Sequence, residues 1–155
     1  MVCLGNICRS PLAEGVMQKK ILEYFPNALV DSAGTGAWHI NEPPDKRSIA
    51  VAAKYGIDIS KQCARKITLE DFKVFDFIFT MDNEIHRDVL YLASLPEQKQ
   101  KVHLLMQFSE NKSSSIIPDP YYNGMAEFEA VYKMIDAACT IIAKQLHSNA
   151  SKSIG

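Results

Sequence analysis

The chain has 155 residues, with 17 Lys and Arg against 18 Asp and Glu and a formal net charge of -1. At 47% hydrophobic and 23% charged it reads as one globular domain (residues 1–155) that buries its own core, which excludes disorder, a collagen-like fibre and a small disulfide scaffold. Its charges form no block of one sign, and its apolar stretch Val74–Met81 is interrupted by Asp76 and falls short of the ~18 residues of a membrane span, so neither nucleic-acid binding nor membrane insertion is expected. The opening Met1-Val2-Cys3 has no basic stretch leading into an apolar core, and the expected address is cytoplasmic. In that reducing compartment Cys3, Cys8, Cys63 and Cys139, which have no paired zinc-ligand spacing, are expected as free thiols, inert or catalytic.

In chain order, Ser10 is placed to cap a helix from Pro11 along which Leu12, Val16, Ile21 and Leu22 recur at helical spacing. Ala28–Ser32 reads as a short strand, followed by the Gly34-Thr35-Gly36 turn and a loop holding Trp38, the only tryptophan. Asp45 caps a second helix that stops at Gly56, a residue suited to the left-handed end of a helix. Thr68 to Asp71 resembles a capping box for a short helix ahead of a buried strand, Val74–Thr80. A helix from about Asn83 to Leu92, a strand near Val102–Leu105 and a serine-rich loop at Ser113–Ser115 follow. The last helix carries Phe128, Val131, Ile135, Cys139, Ile142 and Leu146 as an apolar stripe, with fraying expected from Ser148 onward. Strands alternating with helices imply a single doubly wound α/β domain, with a mostly parallel four-stranded sheet flanked by helices.

The chemistry concentrates in Cys3-Leu4-Gly5-Asn6-Ile7-Cys8-Arg9-Ser10-Pro11, a loop that feeds a helix. Inward-pointing backbone N–H groups and the positive end of the helix suit such a loop to a phosphate dianion. Arg9 adds a planar fork that matches two phosphate oxygens. A thiol beside a helix N-terminus and a guanidinium is the setting in which cysteine acts as a thiolate nucleophile, which makes Cys3 the candidate. Each of Cys3 and Arg9 alone would pass for packing or surface; the joint pattern would not.

This segment resembles the signature of the low-molecular-weight protein tyrosine phosphatases, and three further blocks match: Asp31–Thr35 with Trp38, Thr80-Met81-Asp82, and Asp119-Pro120-Tyr121-Tyr122. The resemblance implies phosphotyrosine hydrolysis through a cysteinyl-phosphate, with Cys3 as nucleophile, Arg9 as phosphate clamp and Asp119 as general acid and then base. It implies that Leu4, Gly5, Asn6, Ile7, Cys8 and Ser10 surround the phosphate, with Trp38, Tyr121 and Tyr122 as aromatic walls. Asn6 tolerates a left-handed backbone and would be braced by Ser32 and by Gln62, which stands where many relatives have histidine. Cys8 is expected as a redox partner of Cys3.

Phosphotyrosine proteins or small aryl phosphates are the expected partners, inorganic phosphate or its analogues the expected competitive inhibitors, with no cofactor and no metal. His39, His86, His103 and His147 are scattered and read as surface or packing residues. Two rivals remain open. An arsenate reductase on the same scaffold lacks its further closely spaced cysteines here, and a non-catalytic phosphotyrosine binder or redox sensor would not need both Cys3 and Asp119. Only Met1 and Val2 precede Cys3, so the first strand is expected to be a stub, or the numbering to start late in a longer protein.

Overall fold

The computed structural model describes residues 1–110 and 114–152. Four short strands, β1 (Val2–Cys3), β2 (Ala33–Gly34), β3 (Ile78–Thr80) and β4 (Val102–Leu104), form one sheet in the order β2-β1-β3-β4. Every pairing is parallel, with Val2 opposite Ala33 and Thr80, and Phe79 opposite His103. Parallel neighbours need crossover connections, and the helices supply them: α1 (Arg9–Ile21), α2 (Lys46–Lys54), α3 (Asp71–Val74), α4 (Asn83–Leu92), α5 (Pro96–Lys99) and α6 (Met125–Lys152).

Strand side chains alternate between two layers, as a pleated strand requires. Phe79 joins Leu12, Val16, Phe128, Val131, Ile135 and Ile142 in a core on the side of α1, α2 and α6. Ile78 joins Val2, Phe72, Ile85 and Val89 in a second core on the side of α3 and α4. Helices on both faces make the domain doubly wound, as the sequence implied. The apolar stripe of α6 is buried from Phe128 to Ile142.

Several boundaries differ from expectation. Strand pairing falls at Ala33–Gly34 and not at Ala28–Ser32, because a strand is defined by its partner, and the residues opposite Val2 and Cys3 are Ala33 and Gly34. Strand β1 itself is two residues long. Val74 closes α3, and the ladder begins at Ile78, whose N–H donates to Lys101 O. Half of the capping box forms: Asp71 Oδ2 accepts from Thr68 N–H at 2.8 Å, while α3 begins only at Asp71.

Asp45 does cap α2, accepting from Arg47 N–H at 2.8 Å, and Gly56 adopts φ 71° beyond its end. Leu105 belongs to a 3-10 turn (Leu105–Phe108), and α5 was not foreseen. Ser114 and Ser115 lie in a loop, whereas Ser113 is outside the described residues. Helix α6 continues past Ser148 to Lys152, and residues 153–155 lie outside the described residues. Among the described residues no helix is long and apolar enough to cross a membrane.

Candidate active site

Cys3 ends the central strand β1 and Arg9 begins α1, so residues 4–8 turn within one tight loop at the carboxyl edge of the sheet. This edge is where open parallel sheets bind ligands. The turn places Asn6 at φ 55°, a left-handed conformation that asparagine tolerates better than most residues. It also packs backbone against backbone: a β-carbon on Gly34 would meet Leu4 O at 2.6 Å, so β2 can pass the loop only with glycine there.

The Cys3 thiol is buried and accepts from Asn6 N–H at 3.3 Å; Ser10 Oγ lies 3.1 Å from the sulfur. Ser10 does not cap α1. The helix starts one residue earlier, at Arg9 with Cys8 in the cap position, and its first turn carries the Ser10 hydroxyl back into the loop.

Asn6 Nδ2 donates to both Ser10 Oγ and Ser32 Oγ at 2.8 Å, and Asn6 Oδ1 accepts from Arg65 N–H at 2.9 Å. Ser32 Oγ therefore directs its own hydrogen to Glu14 Oε2, 2.6 Å away. Ser10, already accepting from Asn6, has one hydrogen, which can go to Ala33 O at 3.3 Å or to Cys3 Sγ, and where Cys3 is a thiol its S–H can donate to Ser10 Oγ instead. A thiolate, being charged, is the stronger acceptor of the two.

The brace expected of Gln62 falls elsewhere. Its amide donates to Pro11 O at 3.3 Å, and both amide hydrogens of Asn6 are already taken by the serines. Glu14 terminates the chain instead. Burial pushes its carboxyl up from the ordinary range, with Asp31 adding to that, while the Ser32 hydrogen bond opposes it.

Arg9 is buried with its fork committed. Nη1 donates to Asp82 Oδ2 at 2.6 Å and to Ile117 O at 3.1 Å, and Nη2 donates to Asp119 Oδ2 at 3.0 Å. Asp82 also caps α4, accepting from Ile85 N–H at 2.9 Å, so α4 holds the carboxylate that holds Arg9. The Asp119 segment enters through Ile117, whose N–H donates to Met81 O at 2.7 Å. Tyr121 N–H closes a turn on Asp119 Oδ1 at 3.1 Å.

A thiol, a guanidinium and a carboxyl thus meet where a parallel sheet, a tight backbone loop and a helix N-terminus converge. Residues 1–152 match the family described as low molecular weight phosphotyrosine protein phosphatase. The chain is 40% identical over 149 residues to the human low molecular weight phosphotyrosine protein phosphatase, covering 94% of this chain and 93% of that one. The crystal structure of a protein tyrosine phosphatase from Entamoeba histolytica with Hepes in the active site superposes with a TM-score of 0.90 at 35% identity, covering 96% of each chain. Wzb of Vibrio vulnificus in complex with benzylphosphonate gives a TM-score of 0.81 at 33% identity, covering 93% of this chain and 94% of that one.

The chain belongs to the low molecular weight phosphotyrosine protein phosphatases.

Within this tyrosine phosphatase the remaining expected residues divide by position. Leu4 is exposed at the loop, and Trp38, 71% exposed, lies over Gly36, where any β-carbon would collide with its ring. Tyr121 is partly exposed beneath the Arg47 guanidinium, 5.9 Å from its ring centroid, whereas Tyr122 is 95% exposed and meets Tyr121 edge-on at 5.0 Å. Ile7 and Cys8 are buried in the core, so their side chains face the protein and what they can offer a phosphate is backbone N–H. Burial, with Asp45 adding to it, pushes the Cys8 thiol up to about 12. Gly5 abuts the His39 ring, from which a β-carbon there would stand 3.1 Å.

Sequence reasoning gave no role to Glu14, Asp82 or Arg65 in the phosphatase. Asp82 was visible in a matching block, and its dual use as cap and Arg9 partner needed the fold. Among the described residues no group of three or more His, Cys, Asp or Glu is placed to hold a metal ion.

Proposed function

We propose that this tyrosine phosphatase works through a cysteinyl-phosphate on Cys3, with Asp119 as general acid and then general base. The observation that carries the reading is the single guanidinium of Arg9, which begins the helix of the Cys3 loop and is bonded to Asp119 at 3.0 Å. A phosphate seated in the loop competes with Asp119 for that donor, and the freed carboxyl then faces the leaving oxygen. The Cys3 thiolate attacks phosphorus, the S–P bond forms as the aryl P–O bond breaks, and Asp119 gives its proton to the departing phenoxide. Water then attacks the phosphocysteine, Asp119 takes its proton, and the S–P bond breaks to return the thiolate. Ser10 Oγ, 3.1 Å from the sulfur, turns its hydrogen from Ala33 O onto that thiolate as it leaves.

Exposed Leu4, Trp38 and Tyr121 beside the loop favour a flat aryl group over the shorter phosphoserine. Wzb of Vibrio vulnificus, with benzylphosphonate, binds a ligand of that shape. Inorganic phosphate competes for the same loop. The redox role of Cys8 and a cytoplasmic address belong to this proposal. Cys8 is held as a thiol, so an oxidant would convert Cys3 to the sulfenic acid, and Cys8 would condense with it, releasing water and forming the disulfide.

The test is phosphate release from a phosphotyrosine and a phosphoserine peptide, under reducing, metal-free conditions, by the wild type and by Cys3→Ser and Asp119→Ala. Selective tyrosine turnover, absent in the first variant and strongly reduced in the second, is expected. Phosphopeptide binding without turnover in the folded wild type would leave a binding module in place of this mechanism.

A further inference from the structure

The amino end of α2 stands between the two halves of the site. Toward the phosphate loop, Asp45 N–H donates to Ile7 O at 2.7 Å and Ser48 Oγ donates to Cys8 O at 3.2 Å. Arg47 reaches the other way. Its Nη1 donates to Asn123 O at 2.7 Å, and its guanidinium carbon lies 4.4 Å from the Phe128 ring centroid and 5.9 Å from that of Tyr121. Asp45 fixes the fork from below, accepting from Nε at 2.9 Å and Nη2 at 2.7 Å. A fork held by two carboxylate oxygens and stacked on rings has one orientation, which a lysine could not reproduce.

What Arg47 grips is the segment that carries Asp119. That segment is pinned at its start, where Ile117 bonds to Met81 O and to Arg9. Its far end is a turn closed by Asn123 N–H on Pro120 O at 2.8 Å, and Arg47 bonds the Asn123 carbonyl from outside the segment. Asp119 lies between the two anchors and is itself half exposed. With the Arg47 anchor cut, the segment is held only at Ile117 and where it enters α6 at Met125, and the Asp119 carboxyl between them is expected to spread over more positions.

We propose that Arg47 is the positioning residue of the general-acid segment, holding through Asn123 and Tyr121 the pose from which Asp119 protonates the leaving group. The inference rests on the reading of Asp119 as general acid. It predicts a selective defect. A leaving group that departs well as an anion does not need the proton, so losing Arg47 slows phosphate esters of weakly acidic phenols and spares those of strongly acidic ones.

The experiment measures the burst of phenol release, which reports the first chemical step, for aryl phosphates of graded phenol acidity. The proteins are the wild type, Arg47→Gln, Arg47→Lys and Asp119→Asn, with inhibition by inorganic phosphate and thermal unfolding measured alongside. Arg47→Gln is expected to slow the burst roughly 10- to 100-fold for the least acidic phenol, part of the 10²–10⁴ attributed to general acids, and about 2-fold or less for the most acidic. Inhibition by phosphate stays at the wild-type level, and Arg47→Lys, which keeps a donor for Asn123 O but not the fork, falls between. Equal slowing across the series, or phosphate inhibition weakened in parallel, would overturn the proposal, because Arg47 would then act through the phosphate loop. If Asp119→Asn steepens the dependence on phenol acidity and Arg47→Gln does not, this proposal alone fails; if Asp119→Asn leaves it unchanged, the general-acid reading fails with it. Should Arg47→Gln not fold, Arg47→Lys decides on the same slope.

Discussion

The two ends of the sheet are built from the same four strands and have opposite characters. At the carboxyl edge, Asn6, Arg9, Ser10 and Ser32 are buried polar groups, each bonded to named partners. At the amino edge lies a groove of about 780 Å³ lined mostly by apolar side chains, among them Met1, Tyr24, Phe25, Leu29, Phe77 and Leu146. A groove that holds none of Cys3, Arg9 and Asp119 does not locate the chemistry in this phosphatase. What does is the convergence of a helix N-terminus, a left-handed turn and a network in which Asn6, Arg9, Ser10 and Ser32 are each paired, as most buried polar groups are.

The comparison breaks most readily at Cys3. Cys3→Ser is expected to bring phosphotyrosine turnover to background while the fold and phosphate binding persist; residual turnover near the wild-type level would remove the nucleophile from this edge. Asp119→Ala ranks next, with an expected loss of roughly 10²–10⁴ in kcat, read in steady-state assays with a phosphotyrosine peptide. Ser10→Ala should slow hydrolysis of the intermediate by roughly 10²-fold, comparable to removing one donor at a developing anion. A single-turnover experiment in which the intermediate decays at the wild-type rate would contradict the hydrogen assignment at Ser10.

A smaller effect concerns the far end of the network. Glu14 has its folded carboxyl pushed up, chiefly by burial. Between the ordinary Glu value of about 4.3 and the folded one, the native state keeps a proton that the unfolded chain has lost, so stability falls as pH rises through that window. Glu14→Gln should flatten this dependence in denaturant titrations at graded pH. An unchanged slope would show that Glu14 is not its source. At the amino edge, by contrast, Leu29→Ser in the groove wall is expected to leave phosphotyrosine turnover within about 2-fold, as for a surface change outside any special feature.

Much of the carboxyl edge was legible in the sequence because its signals are local. Cys3 to Pro11 is one uninterrupted segment, and Asp119 is marked by the prolines on either side and the tyrosines after it. Glu14 was not legible: it lies four residues after Ser10 on α1, like any solvated helix position, and its partner Ser32 is 18 residues away. Gln62 was read by position against relatives, and the structure gives its amide to Pro11 O while Ser32 and Arg65 hold Asn6. The strand ends at Ala33 and Ile78 were misplaced because pairing is decided by a distant neighbour, which no window of sequence contains.

The most direct test of the account is to quench the enzyme with acid during turnover of a radiolabelled phosphotyrosine peptide and map any covalent phosphate. The account predicts phosphate on Cys3 alone in the wild type, none in Cys3→Ser, and a larger trapped fraction in Ser10→Ala. Rapid phosphate release with no phosphocysteine at any time point, or label on a residue other than Cys3, would contradict it.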